Sequence, residues 1–271
     1  MTIDRPADDF AVYAIKFAHR ERSRRQEHFY RGHTQPDAEY PITYYVWLVV
    51  GRGRIVLVDT GFTPEVAMRR GDRQYVQTPA ESLVALGIAA DEVDTVVITH
   101  LHYDHAGFIG AFPNASIVVQ QRELDYWTGP YALRGENPHL IEPEDIEAAQ
   151  ELLASGRLQV IDGDLELAPG LELHRTGGHT AGLQVVAVER RNAAGEPTTT
   201  VIASDASHFL DNIGSDTPYS IVDHLPSMYD AFDWINARAG ERGTVIPGHD
   251  PAVMERFAAV PGLEGVVVRI D

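Results

Sequence analysis

The chain has no cysteine, no apolar run near the roughly 20 residues that cross a bilayer, and no surplus of positive charge. Without cysteine there is neither a disulfide nor a thiolate nucleophile, and any metal must be held by His, Asp or Glu, a donor set that favours a catalytic over a structural site. No membrane partner is expected. The opening residues, MTIDRPADDF, lack a basic segment leading into an apolar one, so no secretory leader is expected and the expected location is cytoplasmic. Against 22 Lys and Arg stand 40 Asp and Glu, a formal charge of -18. Two divalent ions would reduce it only to about -14, still repulsive to a phosphate backbone, so nucleic acid is not an expected partner.

What is present is ordinary for a folded protein: 44% apolar and 23% charged residues over 271 positions. That length supports one large core, and no Pro/Gly/Ser-rich or charge-block linker divides it. The chain therefore reads as one domain, 1–271, with 1–41 as an N-terminal extension. The extension carries an Arg-rich run, Arg20-Glu21-Arg22-Ser23-Arg24-Arg25, which suits a solvated helix face or a salt-bridged contact in a homodimer.

The most informative stretch is Thr99-His100-Leu101-His102-Tyr103-Asp104-His105-Ala106-Gly107, which directly follows the β-branched run Val93 to Ile98. That run predicts a buried strand delivering the polar cluster to its C-terminal end. His100 and His102, two apart on extended backbone, share a face and can share one ion. Asp104 and His105 fall in the following turn, beside a second position. Imidazole and carboxylate without thiolate suit zinc, manganese, iron or cobalt.

Alternation and turn residues predict strands at Phe10–Phe17, at Thr43–Val50 and Arg54–Val58 about Gly51-Arg52-Gly53, at Ser116–Gln120, and in the region 158–203. Helices are expected from Pro79 to Leu86, Glu142 to Gly156, Met228 to Arg242 and Ala252 to Ala259, with strands at Thr244–Ile246 and Val266–Ile270. Residues Phe209–Leu225, with little periodicity, read as a loop over the cleft. Hairpin-linked strand groups separated by helices predict an α+β fold of two mixed or antiparallel sheets packed face to face, helices outside. Three further polar residues end apolar runs beside small residues: His179, Asp205 and His249. His19, His28, His33, His139, His174 and His224 lack such a context and read as surface or core residues.

Taken together, HxHxDH followed by a separate His, Asp and His, with an early Asp59-Thr60-Gly61 turn, resembles the metallo-β-lactamase superfamily over about residues 43 to 250. The resemblance implies the αββα sandwich with two divalent metal ions in a cleft at one edge of the sheets. It implies that His100, His102 and His179 hold one ion, that Asp104, His105 and His249 hold the other, and that Asp205 bridges them. Asp59 would orient a ligand imidazole or serve as a turn residue accepting backbone hydrogen bonds. A metal-bridging hydroxide would then be the nucleophile, and Asp104 would also pass a proton to the leaving oxygen.

True β-lactamases carry Cys or Ser where Asp205 stands, flavodiiron enzymes carry Glu where His102 stands, and the charge argues against RNA phosphodiesterases. HLHYDHAG and SDAS look most like the N-acyl-homoserine lactonases, whose substrate would be a small-molecule lactone. The alternatives are a thioester or cyclic amide hydrolase, or a non-catalytic binding protein. Those lactonases often place Tyr three residues after the bridging Asp; this chain has His208, which can donate a hydrogen bond to an oxyanion. Tyr103, Phe108 and Trp127 are candidate apolar walls.

Overall fold

The computed structural model describes residues 3–31 and 34–270, which leaves His33 outside the described residues. The chain begins a nine-stranded sheet with β1 (Phe10–Arg20), β2 (Ile42–Gly51), β3 (Arg54–Val58), β4 (Gln74–Tyr75), β5 (Thr95–Val97), β6 (Ser116–Gln120) and β7 (Leu158–Ile161). It then builds a five-stranded sheet from β8 (Leu165–Ala168), β9 (Leu171–Arg175), β10 (Gln184–Arg191), β11 (Pro197–Ser204) and β12 (Thr244–Pro247). β13 (Ala258–Ala259) and β14 (Val267–Ile270) return to the first sheet. Both sheets are mixed: β3, β5, β6 and β7 run parallel, as do β11 and β12, and the other pairings are antiparallel.

The side-chain period of two explains the layering. In β2, Tyr45, Trp47 and Val49 face Leu171, Leu173, Val186, Val188 and Ile202 of the second sheet. Tyr44, Val46, Leu48 and Val50 face the other way, into a core shared with Leu83, Leu86, Ile146, Ala149 and Leu152 on the outer helices. A third core packs Val185, Ala187 and Val201 against Ala231 and Ile235 of the helix Leu225–Ala239. The result is helix, sheet, sheet, helix: the expected α+β sandwich.

Several expectations are corrected. The first strand, expected at Phe10–Phe17, runs on to Arg20, and β1 pairs with both β2 and β14 inside the sheet. The Arg-rich run forms no α-helix, and only Arg25 enters a short 3-10 turn, Arg25–Glu27; Arg20 pairs with Asp72 and Glu27, Arg24 with Glu39, and Arg25 with Asp211. The helix expected from Met228 begins at Leu225, because His224 accepts a hydrogen bond from Ser227 N and caps it. The helix expected to reach Ala259 stops at Arg256, and Ala258–Ala259 pairs with β14 instead. Among the described residues no helix is long and apolar enough to cross a membrane.

One buried acid sets a pH dependence. Asp145, in the first turn of the helix Pro143–Ala154, is 9% exposed and one of its carboxylate oxygens, Oδ2, is buried without a hydrogen-bond partner. Burial, with Glu142 and Glu144 nearby, pushes it up to about 7. The folded state therefore keeps a proton that the unfolded chain releases, and stability falls as pH rises from near 4 through 7. The helix N-terminus offsets only part of this cost. Asp145→Asn is expected to raise the urea midpoint at pH 8 and to leave it unchanged at pH 4; equal effects at both pH values would contradict this origin.

Candidate metal centre

The polar cluster lies where strands end. β5 is only three residues long, and Ile98 to His102 form an irregular, bent segment before the short helix Tyr103–Ala106. His102 occupies the N-cap, so the backbone turns there and places Asp104 and His105 on the helix. His179 lies between β9 and β10, Asp205 follows β11, and His249 follows β12. All seven thus converge on one edge of the sandwich, and all are largely or fully buried.

Three groups form among the described residues: His100, His102, His179 and Asp205 make one and Asp104, His105 and His249 another, while Asp205, His208 and His249 make a third that overlaps both. Asp205 faces both. Its Oδ2 lies 3.7 Å from His100 Nε2 and 3.4 Å from His179 Nε2, while its Oδ1 lies 3.3 Å from His105 Nε2 and 3.1 Å from His249 Nε2. Asp104 completes the second group, 3.8 Å from both His105 Nε2 and His249 Nε2. His102 Nδ1 approaches His179 Nε2 to 3.1 Å.

The outward nitrogens of four of the histidines are held by protein. His100 Nδ1 meets Thr99 Oγ1, His179 Nδ1 meets the Ile221 carbonyl, His249 Nδ1 meets the Thr43 carbonyl, and His105 Nδ1 meets Asp59 at 2.7 Å. This fixes ring orientation and aims the other nitrogen inward. Inside, His100 Nε2, His105 Nε2 and Asp205 Oδ1 are buried without hydrogen-bond partners among the described residues. Burial pushes His100, His102 and His179 down toward the neutral, ligating form. Burial also opposes a charge on His105, but Asp205, Asp59 and Asp104 around it outweigh this and push it well up. The centre therefore demands positive charge, and five imidazoles with two carboxylates fit divalent ions.

Both readings of Asp59 hold. It is fully buried in a left-handed turn, φ 62°, and accepts from Thr99 N and Thr99 Oγ1 as well as from His105. Asp59→Asn keeps the shape but presents an amide to these donors, and is expected to weaken metal binding about 10–100-fold. Metal-competition titration checks it; unchanged affinity would remove Asp59 from the support of His105.

His208 joins the cluster: its Nε2 lies 3.0 Å from Asp205 Oδ2, and its ring stacks on Tyr219 at 3.3 Å between centroids and 2° between planes. The cover is more ordered than the expected loop, since Leu210–Gly214 forms a helical turn. His28, Tyr30 and Tyr40, from the stretch before Pro41, pack against it. Tyr30 N donates to the Pro218 carbonyl, Asn212 Nδ2 to the His28 carbonyl and Tyr40 Oη to Asp211, while the His28 ring packs on Phe209 and Tyr219.

A chamber of about 130 Å³ opens onto His102 and His179, walled by Trp127, Leu140, Ile221 and Val222. It shares Tyr126, Ala181 and Asp223 with an outer cavity of about 720 Å³. Trp127 is thus a wall as expected, but Phe108 and Tyr103 are not. Phe108 lines a separate cavity with Thr63 and Arg69, and Tyr103 packs under Arg70 with its hydroxyl toward Tyr44. Two residues had no local signal in the sequence: Tyr219 and the buried Glu123.

The family model of the metallo-beta-lactamase superfamily matches residues 40–249, and the chain belongs to that superfamily. It is 30% identical over 246 residues to N-acyl homoserine lactonase AiiB of Agrobacterium fabrum (strain C58 / ATCC 33970), covering 82% of this chain and 83% of that one. A crystal structure of a quorum-quenching N-acyl homoserine lactone lactonase shares the fold at TM-score 0.74 and 22% identity, covering 96% of this chain and 99% of that chain. AidC, a dizinc quorum-quenching lactonase solved with a product, does so at TM-score 0.66 and 18% identity, covering all of this chain and 96% of that one. Within the superfamily its similar relatives include proteins named N-acyl homoserine lactonase.

Proposed function

We propose that the chain opens the ring of a small lactone, an N-acyl-homoserine lactone or a related catabolic lactone, with two divalent metal ions, most simply zinc. The observation that carries this reading is the division of Asp205, one oxygen toward each histidine group. His100, His102 and His179 would hold one ion, Asp104, His105 and His249 the other, and Asp205 would bridge them. When bound, two such ions supply Lewis acidity toward an ester carbonyl and make water a competent nucleophile near neutral pH.

The chain's own groups do the rest. Trp127, Leu140, Ile221 and Val222 shield the ring from bulk water, and a ring substituent extends past Tyr126 into the outer cavity. His208, buried beside Asp205, donates a hydrogen bond to the charge that develops on the carbonyl oxygen. Water oxygen bonds to the carbonyl carbon as the ring C–O bond breaks. Asp104 takes the proton that the attacking water loses and delivers it to the departing alkoxide, giving a hydroxy acid.

Turnover of N-acyl-homoserine lactones of several chain lengths, unsubstituted γ-lactones, a matched thioester and a cyclic amide separates the substrates. The highest kcat/KM is expected for a lactone. A thioester or amide preferred over every lactone would overturn the proposal.

A further inference from the structure

Glu123 is a carboxylate with no exposure to solvent, on the helix Gln121–Trp127, outside both histidine groups. Four donors converge on its two oxygens. Oε1 accepts from Leu101 N at 2.9 Å and Trp127 Nε1 at 2.7 Å; Oε2 accepts from Thr180 Oγ1 at 2.7 Å and Gly182 N at 2.9 Å. Leu101 stands between His100 and His102, and Thr180 follows His179. One oxygen therefore grips the His100–His102 segment and the other grips the His179 segment.

The approach is close enough to dictate sequence. A Cβ at position 182 would lie 2.3 Å from Glu123 N, so only glycine lets the His179 loop reach the carboxylate. A second joint runs alongside: Gln184 N donates to the Thr99 carbonyl, Gln184 Nε2 to the Ile98 carbonyl, and Gln120 Nε2 to Gln184 Oε1. Burying a carboxylate is costly unless it is fully hydrogen-bonded, and here all four of these partners are donors.

The geometry points to Glu123 as a positioning residue that sets the separation between His100 and His102 on one side and His179 on the other, and so tunes the affinity of one metal position and not the other. This inference rests on the metal reading above and not on the choice of substrate.

Glu123→Gln is nearly isosteric but has one acceptor oxygen. Whichever way its amide lies, one pair of donors meets an NH₂ group, and the N–H of Leu101 or Gly182 loses its acceptor. Metal-free protein titrated with zinc, and with cobalt to read ligand geometry by visible absorption, is expected to show one ion bound about 10–100-fold more weakly and the other within threefold. Anomalous scattering is expected to place the weakened ion among His100, His102 and His179.

Thr180→Val, which removes one donor, is expected to weaken the same ion by less, and Thr180→Ser, which keeps the hydroxyl, to restore it. These two variants decide the matter if Glu123→Gln does not fold. Both ions bound with unchanged affinity and spectrum would overturn the inference, as would an equal weakening of both in step with a lowered Tm. A protein that binds both ions normally yet opens no lactone would contradict the proposed reaction and leave Glu123 to be judged by the titration alone.

Discussion

Asp205→Ala is expected to lower lactone turnover at least about a thousandfold, because the ion chemistry it organises contributes several kcal/mol and each factor of ten corresponds to about 1.4 kcal/mol. Among the described residues, only Asp205 faces both histidine groups at 3.1 to 3.7 Å through different oxygens. Burial opposes its charge, yet His208, His249 and His105 outweigh that and hold the carboxyl well below the usual range. Alanine would leave imidazoles facing one another with no shared anion between them. Metal analysis of the dialysed protein is expected to fall from two ions per chain to one or fewer. Two retained ions with turnover within tenfold of the parent would show that Asp205 does not join the two positions.

Gly248→Ala is expected to be nearly as damaging, although the side chain it adds is a single methyl. A Cβ at 248 would lie 2.6 Å from Asp205 Oδ1 and 2.7 Å from the Ser204 carbonyl oxygen. Ser204 ends β11, while Gly248 N and His249 N are tied to the Ser207 and His208 carbonyls, so little can yield. The displacement must fall on the backbone that carries His249. A shift near 1 Å at a reacting group costs about a hundredfold in rate, and overpacking costs about 1–3 kcal/mol in stability. Steady-state kinetics should show kcat falling more than KM rises, with weaker binding of the ion at Asp104, His105 and His249. A Gly248→Ala enzyme with normal kinetics and metal content would mean that the close approach of Asp205 and His249 is not required.

Legibility in the sequence followed the distance over which each feature is decided. His100 to His105 announce themselves because four donors occur within six residues, a spacing that a turn after a strand brings to one place. His179, Asp205 and His249 gain weight only from resemblance, since each alone is a polar residue at the end of an apolar run. Glu123 left no trace, because three of its four partners, Leu101, Thr180 and Gly182, lie 22, 57 and 59 positions away. Its helix is equally silent, being seven residues long with Gln120 at an N-cap that makes no side-chain hydrogen bond.

The sheets were readable wherever alternation met a turn, as at β2 and β3 about Gly51-Arg52-Gly53. Errors came where tertiary pairing overrode local preference, as when β14 drew Ala258–Ala259 out of a helix. Phe108, adjacent in sequence to the cluster, turned away because Gly107 packs on Gly61 and Phe62 and directs the following side chain to the far side.

The most direct test of the account is the initial rate of lactone opening, followed by acid release in a pH-stat, as zinc or manganese is added to metal-free protein from zero to three equivalents. The account predicts no turnover without metal, a rise that levels at two equivalents, and no such rise in Asp205→Ala. Turnover undiminished in the metal-free protein, or none with any lactone once two ions are bound, would contradict it.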